Sequence, residues 1–197
     1  MPPPRRALVV AVDGVLADTL SRRAEVLYDA MREVGLLAGT SASALVQSVA
    51  GRDWAGAARA AAGTEVDETL VDLSALAAER AWHRALALDA PVAHPDAIAR
   101  CREAAAQGWR VLLRADSTRR AAGPLIDDLA AATDAARVIA GDDVRVTGGR
   151  ALAGAQYAAL QGALGQYGVV RVVEAGEVAR AAAQELISGV ESGWPAG

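Results

Sequence analysis

The chain has 197 residues, 53% of them hydrophobic, and a formal net charge of −4; that is enough for one domain with a buried core, with or without an insert. The mildly acidic balance argues against a nucleic-acid partner, which needs a clustered basic face; Arg5-Arg6, Arg22-Arg23 and Arg119-Arg120 are scattered pairs that read as solvated faces. Cys101 is the single cysteine, so an internal disulfide and a cysteine-rich zinc cluster are excluded and a reducing cytoplasm fits; lysine is absent, so no lysine chemistry is open, and no apolar run is long enough to span a membrane.

Residues 7–12 form a short β-branched run that stops at Asp13-Gly14, predicting a buried strand and a turn. Asp13 interrupts the run too early for a secretory segment. Residues 21–35 have helical spacing and close at Gly35. Residues 40–90 are Ala-rich without strand-like runs and predict several helices, with Ser41 as a cap and breaks near Gly51 and Gly63. Pro91 and Pro95 flank a boundary. Beyond it, helices over 96–107, 119–132, 151–164 and 177–187 alternate with strands over 109–113, 136–140 and 169–173. Such alternation predicts an α/β fold, a Rossmann-like parallel sheet covered on both faces. The expected core is 1–18 and 95–197, with 19–94 as an inserted helical cap. Ligands in such sheets bind at the carboxyl ends of strands. That directs attention to residues 11–13, 114–117, 141–143 and 174–176.

The stretch Val12-Asp13-Gly14-Val15-Leu16-Ala17-Asp18-Thr19, at the end of an apolar strand, resembles the first motif of haloacid-dehalogenase (HAD) superfamily phosphatases, F-D-x-D-G-v-L-x-D-T. Residues 108–117 lie where that superfamily has its second motif, and Gly141-Asp142-Asp143-Val144 resembles the G-D-D-V before the third. Residues 151–157 lie over K-P-A-P-D-x-Y, and Val172-Val173-Glu174 over the v-v-E-D of the fourth motif. The resemblance covers nearly the whole chain. Helical residues 73–86 followed by 92–95 look most like the CbbY and β-phosphoglucomutase-like branch, which includes sugar-bisphosphate phosphatases.

The resemblance implies a nucleophilic Asp, a second Asp as general acid and base, a magnesium ion, and a hydroxyl and a lysine that hold the phosphoryl group. This sequence departs from that pattern. The nucleophile position is Ala11, fixed by the adjacent Asp13-Gly14. The hydroxyl position is Ala115, with Ser117 two residues on; the lysine position is Ala151, beside Arg150; the fourth-motif Asp is Ala175, beside Glu174. A GC-rich coding bias explains Lys to Arg, but not Asp to Ala. Only Asp13 keeps its part, so the Mg²⁺ site is expected to be lost and no cofactor is expected.

Asp13 has two readings, as a brace for the turn or as a metal-free general acid or base. Asp18 and Thr19 read as a helix cap and hinge. Arg114 and Arg150 would face the old phosphate site, and with Asp116, Ser117, Glu174 and Arg52 they form the candidate ligand-binding set. Glu174 is a candidate partner for one of those arginines, and Asp142-Asp143 a cap for the following loop. Arg52, Trp54 and Glu79 fall where family members recognise substrate. Trp54, Trp82 and Trp109 read as core, His83 and His94 as structural, and Trp194 as docked on the body or on a partner. The leading expectation is a catalytically degenerate protein that binds a protein partner or a small anionic ligand in the cytoplasm, with neither nucleic acid nor membrane involved. The alternative is a metal-independent enzyme using Asp13, and the last a residual phosphatase.

Overall fold

The computed structural model describes residues 5–36, 40–63, 65–146 and 151–195. Strand β1 (Arg6–Ala11) is followed by helices α1 (Leu20–Glu33), α2 (Val46–Val49, entered through a 3-10 turn at Ala42–Leu45), α3 (Trp54–Ala62) and α4 (Glu68–Leu88). Then come α5 (Pro95–Ala106), β2 (Trp109–Arg114), α6 (Arg119–Ala132) and β3 (Arg137–Ile139). A 3-10 turn at Gly141–Asp143 leads to α7 (Leu152–Leu164), β4 (Val169–Val173), α8 (Glu177–Leu186) and β5 (Val190–Ser192). The strands form one sheet in the order β3-β2-β1-β4-β5, every pair parallel.

The central place of β1 explains its uninterrupted apolar run, because a strand buried on both faces has no polar side to show. Leu8 and Val10 pack with Val111, Leu113 and Ile126 under α5 and α6. Ala7 and Val9, alternate in sequence, pack on the opposite face with Leu112, Val172, Tyr157 and Leu160 under α7 and α8. Residues 20–88 gather around their own apolar cluster, which includes Leu27, Met31, Trp54 and Trp82. The two tryptophan rings meet edge to face at 6.3 Å.

Glycines break the helical stretch at both expected places: Gly51 (φ 73°) lies between α2 and α3, and Gly63 (φ 95°) closes α3. The caps differ from the expectation. The Ser41 hydroxyl meets that of Ser43 rather than a backbone N–H, whereas Asp53 and Asp67 cap α3 and α4 by accepting from Gly56 and Thr69. Strand β5 was not expected; it is short, half exposed and set between Gly189 and Gly193. Its pairing with β4 supplies the order that its own side chains do not encode. Trp194 packs on the body, with Arg100 stacked 5.7 Å from its ring centre. No helix among the described residues is long and apolar enough to cross a membrane.

Candidate functional site

Three strand ends build the site. Ala11 ends β1 as the register partner of Arg114 at the end of β2. On the other flank Val10 pairs with Val173, which sets Glu174 beside Ala11. Strand alternation turns positions 11, 114 and 174 toward the face covered by α7 and α8. Arg114 and Glu174 therefore meet across the central strand, over a residue with only a methyl side chain. Arg114 Nε and Nη2 each donate to a Glu174 oxygen at 2.7 Å. Nη1 donates to Asp116 and, at 3.0 Å, to Gln156 Oε1. From α7, the Tyr157 hydroxyl donates to Glu174 at 2.6 Å.

Asp13 stands at the turn after β1, which needs Gly14 at φ 76°. Its carboxylate accepts from Thr19 Oγ1 at 2.8 Å and from the Asp116 backbone N–H at 2.7 Å. Asp116 in turn accepts from the Gly51 N–H at 2.9 Å. Between these two carboxylates enters Arg23 from α1, its Nη1 3.3 Å from Asp116 and 3.7 Å from Asp13. Asp13, Arg23, Arg114, Asp116 and Glu174 are all buried, none more than 8% exposed.

Three carboxylates here face two guanidinium groups, so full ionisation leaves one negative charge in excess. Asp13 takes the strain. Burial pushes its carboxyl above the ordinary 3.8 and the Asp116 charge adds to this, although Arg23 pulls the other way. Burial also works against the Asp116 charge, but Arg114 and Arg23 outweigh it and hold that carboxyl below 3.8. Burial alone would lower Arg114; Asp116 and Glu174 instead raise it well above its ordinary value, so it stays charged. Burial and Glu174 push the Tyr157 phenol up, which keeps it a proton donor.

The structure brings Asp13, Arg114, Asp116, Ser117 and Glu174 together, but not as an open anion site. The expectation that Arg114 offers its charge to a ligand is corrected: all three guanidinium nitrogens are engaged by protein acceptors. Glu174 pairs with Arg114, as one of its expected readings held. Ser117 accepts from the Trp82 indole at 3.0 Å. Arg150 lies outside the described residues. Thr19 precedes α1, yet its hydroxyl braces Asp13 and makes no cap bond. Asp142 and Asp143 accept from the N–H groups of Arg119 and Ala140; residues 147–150 of the loop they were expected to cap lie outside the described residues. His94 holds the Val15 carbonyl at 2.8 Å.

Arg23 is the residue that sequence reasoning missed. By sequence it pairs with Arg22 as a solvated face. Arg22 does reach an exposed partner, Asp89, but Arg23 is only 1% exposed. Helical spacing carried the signal, since Leu20, Arg23, Ala24, Leu27 and Met31 share the buried face of α1. Gln156 and Tyr157 were missed as well; their roles depend on α7 lying over the ends of β2 and β4.

The loop after α2 closes over this centre. Besides donating to Asp116, Gly51 accepts from the Ala153 N–H at 3.0 Å. A Cβ added at Gly176 would lie 2.6 Å from the Ala50 Cβ. Glu79 on α4 accepts from the Trp54 indole at 2.6 Å and from Thr118 Oγ1 at 3.1 Å, tying α4 to the start of α6. Beside the contact an open cleft of about 440 Å³ remains, lined by Gln47, Arg52, Ala175, Glu177, Val178 and Arg180. Arg52 uses Nη1 on the carbonyls of Gln47 and Ser48. Among the described residues, no group of three or more His, Cys, Asp or Glu side chains is placed to hold a metal ion.

No protein-family model matches the sequence, and no curated protein matches it significantly. Solved structures do match in fold. A protein from Lactobacillus delbrueckii subsp. bulgaricus, assigned as a phosphoglycolate phosphatase, superposes with a TM-score of 0.72 at 13% identity, covering 96% of this chain and 85% of its own. A haloacid dehalogenase-like hydrolase from Streptococcus pneumoniae gives 0.65 at 14% identity, over 95% and 83%. Protein Tyrosine Kinase A of Mycobacterium tuberculosis gives 0.66 at 16% identity, over 98% and 86%. The chain has the haloacid-dehalogenase-like fold.

Proposed function

We propose that this chain uses the haloacid-dehalogenase-like fold it shares with these proteins as a binding scaffold, and does not carry out hydrolysis at the strand ends. The observation that supports this reading is the buried, mutually paired set of Asp13, Arg23, Arg114, Asp116 and Glu174 at the strand ends. Residues 19–94 are read as a cap held against the core. The residues present do not fit the magnesium ion that the resemblance implies. Positions 11 and 175 carry methyl groups. Every carboxylate oxygen of Asp13, Asp116 and Glu174 already accepts from a protein donor. Two guanidinium groups would also repel a dication.

The metal-independent enzyme is less well supported. Asp13 is 3% exposed with both oxygens engaged, so a substrate proton is out of its reach. Burial raises the Cys101 thiol to about 12, so that residue offers no replacement nucleophile. Incubation with p-nitrophenyl phosphate and sugar phosphates in Mg²⁺ is expected to give background rates. Turnover above background that disappears in Asp13→Asn would overturn the proposal.

One observation favours a small anion as a ligand: Arg52 and Arg180 both line the open cleft beside Ala175. The site thereby moves from the expected Arg114 to the surface. Phosphate is then expected to raise the melting temperature of the wild type, but not of Arg52→Ala or Arg180→Ala. A flat wild-type response would remove the anion and leave a protein partner, which co-purification from the native cell would identify.

A further inference from the structure

Asp13 and Asp116 are buried side by side, and one of their counter-charges belongs to neither the sheet nor its connecting helices. It is Arg23, carried in by α1. The Arg23 Nη2 donates to the Arg52 carbonyl at 3.0 Å, and its guanidinium lies 4.8 Å from the centre of the Trp54 ring. Nε and Nη1 are buried without a hydrogen-bond partner. Toward the two aspartates Arg23 therefore acts as a charge more than as a directed donor, which is the part a bound cation would play. A guanidinium in such surroundings is costly to bury unless negative charge comes with it, and the reverse holds for the aspartates. Neutralising this centre and seating α1 over it are therefore one event.

We propose that Arg23 is a built-in replacement for a divalent cation at this centre. It serves as the permanent counter-charge of Asp13 and Asp116, and it latches the helices of residues 20–88 onto the strand ends. A free ion can exchange whenever such a site opens; a guanidinium on α1 leaves only if α1 leaves. The Gly51 bonds to Asp116 and Ala153 lie on the same seam and are held shut by the same charge. The inference rests on the non-catalytic reading in one respect, that no metal works at this centre.

The test is thermal unfolding of wild type, Arg23→Ala and Arg23→Lys, each with EDTA and with millimolar Mg²⁺. The wild type is expected to melt at one temperature in both. Arg23→Ala is expected to melt roughly 10 °C lower in EDTA, as for a broken buried ion pair, and to recover part of that loss in Mg²⁺. Arg23→Lys, which keeps the charge, is expected to stay near wild type and to ignore the metal. Stabilisation of the wild type by Mg²⁺, or an Arg23→Ala protein as stable as wild type, would overturn the latch. If Arg23→Ala does not fold, the other two proteins decide: a magnesium response in either, or an Arg23→Lys protein as damaged as Arg23→Ala, counts against it. Phosphatase turnover would sink the non-catalytic reading, whereas an inactive wild type that Mg²⁺ stabilises would sink the latch alone.

Discussion

Arg114 and Glu174 form a two-pronged ion pair across the central strand, with Nε and Nη2 of the arginine each 2.7 Å from a carboxylate oxygen. The strand between them contributes Ala11 at that level. The small residue at the position that resembles a nucleophile site and the charge pair on either side of it thus belong to one packing solution. A longer side chain at 11 would enter the space through which the pair meets.

Removing Arg114 is expected to be among the most damaging single changes. Arg114→Met strips Glu174 and half of Asp116 of their counter-charge, a loss of about 3–5 kcal/mol for a broken buried pair. Adding Glu174→Gln to it should recover part of the loss, because the orphaned carboxylate goes with it. Urea unfolding of the wild type, both single variants and the double variant measures this coupling. Strictly additive losses would show that the pair is not a unit.

Placing a carboxylate at position 11 is expected not to produce phosphatase chemistry. Ala11→Asp adds a fourth acid to a set already one charge in excess, at a cost on the order of 3 kcal/mol or more. Hydrolysis of p-nitrophenyl phosphate should stay at background while the melting temperature falls. Robust turnover from this one change would mean that the closed centre opens far more readily than its contacts indicate.

Stability should vary with pH through Asp13 and Asp116 in opposite directions. The Asp13 carboxyl is raised from 3.8 by burial, so its contribution is fully present below 3.8 and is lost as pH rises through its folded value. Asp116 is lowered, because Arg114 and Arg23 outweigh its burial, so its contribution is present above 3.8 and lost as pH falls. Asp13→Asn is permanently neutral and can still bond Thr19 and the Asp116 N–H. Its stability relative to wild type should therefore improve from pH 4 to pH 7. Melting curves at the two pH values check this, and a variant that loses stability relative to wild type between pH 4 and pH 7 would contradict the raised carboxyl.

The seam between the helices and the sheet has a steric test. Gly176 has φ −109°, which any residue adopts, so the cost of Gly176→Ala is contact alone: the new methyl meets Ala50 at 2.6 Å. A loss of about 1–3 kcal/mol is expected for such overpacking. Moving the methyl across the seam, in Ala50→Gly with Gly176→Ala, should restore most of it. A double variant no better than the single one would mean that residue 50 is not the obstacle.

Hydrophobic period was enough to read the elements that alternate from residue 95 onward, the helical character of 20–88 and the buried place of the first strand. Alternation and helical spacing are local properties, carried by residues within a few positions of each other. The alanine at position 11 was equally legible, because Asp13-Gly14 sets the register. Strand β5 was not, since its three residues gain their order from β4. The roles of the charges were not legible either. Arg114 and Glu174 are 60 residues apart, and Asp116 and Asp13 are 103 apart. Whether Arg114 faces a ligand or a carboxylate depends on which strand lies between β2 and β4. Whether Arg23 is solvated or buried depends on where α1 comes to rest. Sequence by itself determined the kind of fold and the alanines at positions 11 and 175. Only the tertiary structure decided which charges gather around them, because buried charges are matched through space, by strand order and helix docking, and neither is written in any local pattern.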